Sequence, residues 1–247
     1  MKGVIHGINS RTTIVDITHD VPPGELNAGA FALVNSYRFF PKRTIHVAVV
    51  DPGVGGKRKA IAVQTSNYFF IGPDNGVLSW ALGKEKIKGI RSLENERYFL
   101  KPISRTFHGR DIFSSVAAHL SCGVRMEKLG PALKGIVQLH WPQPKRMRNG
   151  LEGAVVYVDR FGNAITNLDA ALIARGKQDK AEIFIGSKRL CVISDSYESV
   201  PAGHAVAVLG STGCLEIAVN GGSAAQQLKL RRGDAVLLHV GIDVRRL

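Results

Sequence analysis

One break in hydrophobic patterning constrains the fold of this chain more than any other feature. Residues 140–148, HWPQPKRMR, hold two prolines and several charges, and they separate two stretches of different rhythm. Before the break, strand-like runs alternate with segments whose apolar residues recur at helical spacing. After it, short strand-like runs follow one another across Gly-rich turns. The first rhythm predicts an α/β domain. The second predicts a small all-β domain, sandwich or barrel.

The individual runs carry that reading. Residues 14–18, IVDIT, read as a short β-branched strand stopped by Pro22 and Pro23. Over 25–40, Leu26, Ala30, Leu33, Val34 and Tyr37 recur at helical spacing, and Pro41 lies just past the end. Residues 44–50 form a continuous apolar run, fit for burial on both faces of a parallel sheet. Two more strands are expected at 60–64 and 68–71. Ile112, Phe113, Val116, Ala117 and Leu120 predict a helix over 109–120. Beyond the break, strands are expected at 153–158, 182–185, 205–209, 215–219 and 235–240.

Composition narrows the class of protein. A chain of 247 residues is long enough for two modest domains. No apolar run approaches the roughly 18 residues of a membrane span. Residues 1–9 lack the apolar core of a secretory signal. A cytoplasmic protein with no membrane partner is the expectation. Lys and Arg number 33 against 20 Asp and Glu, a net charge of +13. The basic residues are scattered, with local clusters at 84–88, 145–148 and 231–232, and show neither zinc-finger spacing nor an RNA-binding signature. A generally basic, solvated surface is the economical reading, and no nucleic-acid partner is expected. Cys122, Cys191 and Cys214 are far apart and odd in number, which predicts buried free thiols in a reducing compartment.

Polar residues collect at the ends of the predicted strands, where α/β sheets bind ligands. Asp51 ends the 44–50 run and opens DPGVGGKR, a loop whose three glycines let a ligand approach the backbone. IGPDNG, at 71–76, places Asp74 and Asn75 after another strand. FHGRD, at 107–111, puts His108 and Asp111 at a helix start. In the β domain, DRFGN at 159–163 and STGCLE at 211–216 set polar side chains among apolar strands. Each of these stretches is also ordinary turn or helix-entry chemistry. No metal-ligand spacing, Walker loop or nucleophile elbow is present. The residues alone therefore stop short of a substrate.

Taken together, six ordered motifs go further: IVDITHDVPP (14–23), VVDPGVGGKR (49–58), FIGPDNGVLSW (70–80), TFHGRD (106–111), VDRFGNAITN (158–167) and LEIAVNGGSAA (215–225). Their set resembles the S-adenosyl-L-methionine (SAM) hydroxide adenosyltransferase family, relatives of the SAM-dependent fluorinase and chlorinase, over nearly the whole chain. The resemblance implies an α/β domain with a mostly parallel sheet over 1–140, a linker at 141–149 and a smaller β-barrel domain over 150–247. It implies a homotrimer whose site lies at the subunit interface, with SAM as substrate and no cofactor or metal. The family's Asp-Arg-His set falls on Asp51, Arg58 and His108. Asp159, Asn163, Ser211, Glu216 and the backbone of Val219 are implied as substrate contacts, with Asn163 on adenine and Asp159 on the substrate's ammonium group.

The implied reaction is hydrolysis of SAM to adenosine and L-methionine, by in-line attack of water on the ribose 5′ carbon. Asp51 and His108 would hold and partly deprotonate the water, with Arg58 keeping Asp51 ionised. Halogenating relatives carry a tyrosine where this motif has Asp51, and a carboxylate there repels halide. The chain begins at MKGVIHGIN. Relatives usually place before that helix a strand ending in Thr-Asp-Phe-Gly, whose aspartate binds the ribose hydroxyls. Its lack implies an alternative, a SAM- or adenosine-binding protein with little turnover.

Overall fold

The apolar runs of the first part of the chain assemble as β1 (Ile45–Val47), β2 (Ala60–Thr65), β3 (Phe69–Pro73) and β4 (Ile87–Ser92), in spatial order β1-β3-β2-β4. They come from a computed structural model that describes residues 1–174, 181–186 and 188–239. The chain divides into two compact units, Met1–His140 and Trp141–Leu247.

β1 runs parallel to β3, whereas β2 lies antiparallel to both β3 and β4. The sheet is mixed, which corrects the mostly parallel expectation. Two strands joined by a few residues, as β2 and β3 are through Ser66, Asn67 and Tyr68, must reverse direction, because a parallel crossover needs a dozen or more residues. The Thr65 hydroxyl closes that reversal by accepting the backbone N–H groups of Asn67 and Tyr68. Continuous apolar runs report burial on two faces and say nothing of direction.

Four helices accompany this sheet: α1 (Lys2–Ile8), α2 (Leu26–Ser36), α3 (Ser79–Leu82) and α4 (Ser115–Ser121), the last preceded by a π-helical stretch, Gly109–Ser114. Alternation along β3 sends Ile71 to one core cluster with Phe113, Val116 and Leu129, and Phe70 to another with Leu33, Tyr37, Leu78 and Val63. His46 joins the second cluster, stacked on Phe70 at 5.2 Å between ring centroids and edge-on to Tyr37 and Tyr68. Burial pushes its pKa down to about 4, so the ring is neutral at physiological pH. The IVDIT segment forms no strand. No strand pairs with it among the described residues, and Val15 and Ile17 stand 60% and 42% exposed.

In the second unit the strands are β5 (Lys145–Met147), β6 (Gly150–Val158), β7 (Ala164–Asp169), β8 (Glu182–Ile185), β9 (Lys188–Ser194), β10 (Ala205–Leu209), β11 (Cys214–Val219) and β12 (Ala235–His239). Their order is β12-β8-β9-β10-β11-β7-β6-β5, and a β12–β6 pairing closes the seven from β6 to β12 into a barrel. β9 and β10 are parallel, so the barrel too is mixed. Val240, the last residue of the strand expected at 235–240, lies outside the described residues. Leu151, Val155, Leu168, Ile183, Leu215, Ile217, Val236 and Leu238 fill the interior. Alternation along β11 then turns Glu216 and Ala218 to the opposite face, where Ala218 meets Val206 and Val208. All three cysteines are free thiols; Cys122 is exposed, against the expectation of burial, and Cys214 is buried.

Candidate active site

Asp51 follows the apolar segment that starts as β1, and two neighbouring loops fix it. The loop after β3 supplies Asn75, whose side-chain amide donates to the carbonyl of Val50 at 2.8 Å. The turn after Asp51 begins with the Val54 N–H on the Asp51 carbonyl. It then needs Gly55 in the left-handed region, φ 74°, where a Cβ would sit 2.3 Å from the carbonyl oxygen of Arg105. That close approach brings the 51–58 loop against the loop that carries His108.

Arg58 is the hub of the resulting group. Its Nε donates to both Asp51 oxygens at 3.0 Å, and its Nη2 donates to Oδ2 at 2.5 Å. The same Nη2 lies 2.7 Å from His108 Nδ1. The pair is nearly sealed from solvent, with Arg58 and Asp51 side chains 11% and 5% exposed. The guanidinium also lies 5.4 Å from the centre of the Phe113 ring. Burial and the Arg58 charge push the His108 pKa down, against smaller upward pulls from Asp51 and Asp111.

A second pair supports His108 from behind. Arg110 grips the fully buried carboxylate of Asp111 with two donors, and Asp111 accepts the Ser104 N–H at 2.8 Å. These contacts hold the Asp111 carboxyl below its usual range and staple the 104–108 loop to the π-helical stretch. Such stretches recur at functional sites. Asp74, the other candidate in IGPDNG, instead accepts the Val137 N–H.

The barrel residues form a different group. Asp159 Oδ1 accepts the Asn163 backbone N–H at 2.8 Å, and Oδ2 accepts its side-chain amide at 3.0 Å. Between them Gly162 adopts φ 84°, and a Cβ there would collide with Ser223. Glu216, only 6% exposed, accepts the Tyr197 hydroxyl at 2.9 Å. Burial pushes its pKa up, and the Asp159 charge adds to that. Ser211 is exposed in the turn before β11, while Val219 ends that strand with its carbonyl taken by the Gly222 N–H. Asp159, Asn163 and Glu216 thus share one neighbourhood, and Ser211 and Val219 flank opposite ends of β11. Tyr197 and the bracing role of Asn75 had no sequence signal, since their partners are named only by tertiary contact, whereas Arg110 and Asp111 are neighbours within FHGRD whose pairing the motif left unread. Among the described residues, no three His, Cys, Asp or Glu side chains gather as metal ligands do. Nor is any helix there long and apolar enough to cross a membrane.

A mixed α/β unit carrying an Asp-Arg-His group, followed by a closed β-barrel with an acidic patch, defines the class. Family models match both halves: the SAM hydroxide adenosyltransferase N-terminal domain at residues 1–130 and the C-terminal domain at 153–237. This chain belongs to the SAM hydroxide adenosyltransferase family. It is 39% identical over 234 residues to a Thermus thermophilus protein named (R)-S-adenosyl-L-methionine hydrolase, covering 91% of this chain and 87% of that one. A more distant relative is a fluorinase from Actinoplanes sp., 24% identical, with 94% of this chain and 89% of the relative covered. Among solved structures, an uncharacterized conserved protein from Thermotoga maritima superposes with a TM-score of 0.88 at 37% identity, covering 96% of this chain and 93% of that one.

Proposed function

We propose that this protein is a SAM hydrolase, converting SAM and water to adenosine and L-methionine. Water attacks the ribose 5′ carbon in line with the departing sulfur, and methionine leaves as a neutral thioether that needs no acid. Asp51, Arg58 and His108 hold and polarise the water, without a metal or cofactor. The observation that carries this reading is the buried Arg58 bridge between Asp51 and His108. A fixed cation holds the carboxylate in one orientation, and orientation alone lowers the barrier to in-line attack by several kcal/mol.

Substrate recognition falls to the barrel: Asn163 for the adenine edge, Asp159 for the ammonium group, and Ser211, Glu216 and the Val219 backbone beside them. A carboxylate at position 51 disfavours halide as the nucleophile. The names of the curated relatives favour turnover over binding alone. A homotrimer and a cytoplasmic location complete the proposal; sedimentation in solution tests the first.

The test of function is chromatographic. The purified chain with SAM should give adenosine and methionine in equal amounts, lost in Asp51→Asn. Bound SAM without product would overturn hydrolysis in favour of a binding role, and a product that depends on chloride or fluoride would overturn water as the nucleophile.

A further inference from the structure

We infer that His108 acts as a hydrogen-bond donor through Nε2–H, locked in that tautomer by Arg58, and that Asp51 alone receives the water's proton. The inference rests on the hydrolase reading above and refines the division of labour within it.

The argument begins with what a guanidinium is able to do. Arginine has five N–H donors, no acceptor, and does not lose its proton in proteins. Its Nη2 stands 2.7 Å from His108 Nδ1. At that distance Nδ1 must be the acceptor, because a hydrogen on both atoms would place two positive N–H groups head to head. A neutral imidazole whose Nδ1 is an acceptor carries its single hydrogen on Nε2. Nε2 has no protein partner among the described residues, on a side chain half-exposed beside the Asp51–Arg58 pair. Burial and the Arg58 charge work in the same direction by disfavouring the imidazolium, while the Asp51 and Asp111 carboxylates oppose them more weakly.

Such a ring is unable to serve as a base at Nε2, since that nitrogen is already protonated. Nor is Nδ1 free, since Arg58 occupies it. The base must therefore be Asp51. Its Oδ2 accepts two hydrogen bonds from Arg58 and its Oδ1 only one, a shared Nε contact, so Oδ1 keeps a lone pair for water. A water then gives one hydrogen to Asp51 Oδ1 and accepts Nε2–H on one lone pair, leaving the other for carbon. As the O–C5′ bond forms, the C5′–S bond breaks and its electron pair neutralises the sulfonium. The attacking oxygen becomes strongly acidic at the same moment, so even an arginine-paired carboxylate is basic enough to take the proton and pass it to solvent.

Two measurements test this. His108→Gln keeps an N–H donor at the reach of Nε2 but is not a base, whereas His108→Phe keeps neither function. The Gln variant should retain kcat within about tenfold of wild type, and the Phe variant should lose about 100-fold or more, the usual range for a positioned proton-transfer or donor group. Equal, deep losses in both variants would overturn the donor role. Independently, 15N-histidine NMR of the wild-type protein without substrate reads the tautomer directly. It should show Nδ1 unprotonated and Nε2 protonated at pH 7.5, with the lock lost in Arg58→Met. An Nδ1–H tautomer or an imidazolium at that pH would overturn the inference while leaving SAM hydrolysis untouched.

Discussion

The α/β unit and the barrel handle the carboxylates of their candidate site groups in opposite ways. In the α/β unit each is matched by a guanidinium: Asp51 by Arg58 and Asp111 by Arg110. In the barrel, Asp159 has only amide donors and Glu216 only a tyrosine hydroxyl, and no lysine or arginine pairs with either among the described residues. This contrast occurs in a chain with an excess of 13 positive charges, so the missing partner is not a matter of composition. Under the function proposed above, the first group would hold a fixed geometry through the reaction with its charge already neutralised, and the second would have its charge completed by SAM, which is cationic at both its sulfonium and its ammonium.

The largest way to break that contrast is to remove charge from the matched side. Asp51→Asn should lower kcat by about 100-fold or more, read by adenosine release, while the fold persists because the amide still accepts from Arg58. Arg58→Met should do greater structural harm, since it leaves the nearly sealed Asp51 carboxylate unpaired. Stability should fall by about 3 kcal/mol, measured by urea unfolding. A stability within error of wild type would mean that the Asp51 carboxylate does not depend on Arg58 for its burial and that the α/β site is no more neutralised than the barrel.

How much of this was legible beforehand follows from the kind of interaction concerned. The helix at α2 was readable because its apolar residues recur at helical spacing, and the strands β2 and β3 because they are short continuous apolar runs; Ala30, Leu33 and Tyr37, and Ile61, Ala62 and Phe70, are indeed buried. β4 was not, because KIKGIR presents charges to solvent on a strand buried mainly at its far end. β9, with its basic start, escaped for a similar reason. The IVDIT run had every local property of a strand and failed for want of a partner, which local propensity does not encode. Of the site, Asp51, Arg58 and His108 were identified through the motifs. Their meeting at one guanidinium depends on Gly55 passing under the Arg105 carbonyl, a tertiary event.

Acid should separate the two units further. The His46 ring titrates near 4 when folded and near its ordinary 6.5 when unfolded, so the unfolded chain binds more protons between those values. Stability contributed by neutral His46 is whole above pH 6.5 and falls by about 3 kcal/mol as pH drops toward 4. Glu216 has the opposite sign: its raised carboxyl pKa makes the folded state the better proton binder, so its ionisation costs stability as pH rises above the ordinary carboxylate range. His46→Phe should therefore flatten the acid limb of unfolding free energy against pH. Glu216→Gln should raise stability at pH 7 and leave it unchanged at pH 4. Identical pH profiles for the two variants and wild type would erase the distinction.

The smallest expected effect isolates what the barrel uses in place of a cation. Tyr197→Phe removes one hydroxyl and leaves the Glu216 carboxylate desolvated without its donor. A hydrogen bond to a charged acceptor is worth about 1.5–3 kcal/mol, but Tyr197 is 42% exposed and water can take the vacated place. About 1 kcal/mol at pH 7 is the reasonable expectation, shrinking as pH falls toward the ordinary carboxylate range, because the raised carboxyl has taken up its own proton before that range is reached. The same substitution should push the Glu216 pKa higher still, since the hydroxyl is the group that now pulls it down. Calorimetry at the two pH values with Tyr197→Phe and the double variant Tyr197→Phe/Glu216→Gln separates these terms. If the hydroxyl acts through the carboxylate, its removal costs almost nothing once Glu216 is already an amide that offers its own N–H. An unchanged cost in the double variant would mean that the hydroxyl stabilises the fold independently of the Glu216 carboxylate, and the carboxylate would then stand without that support.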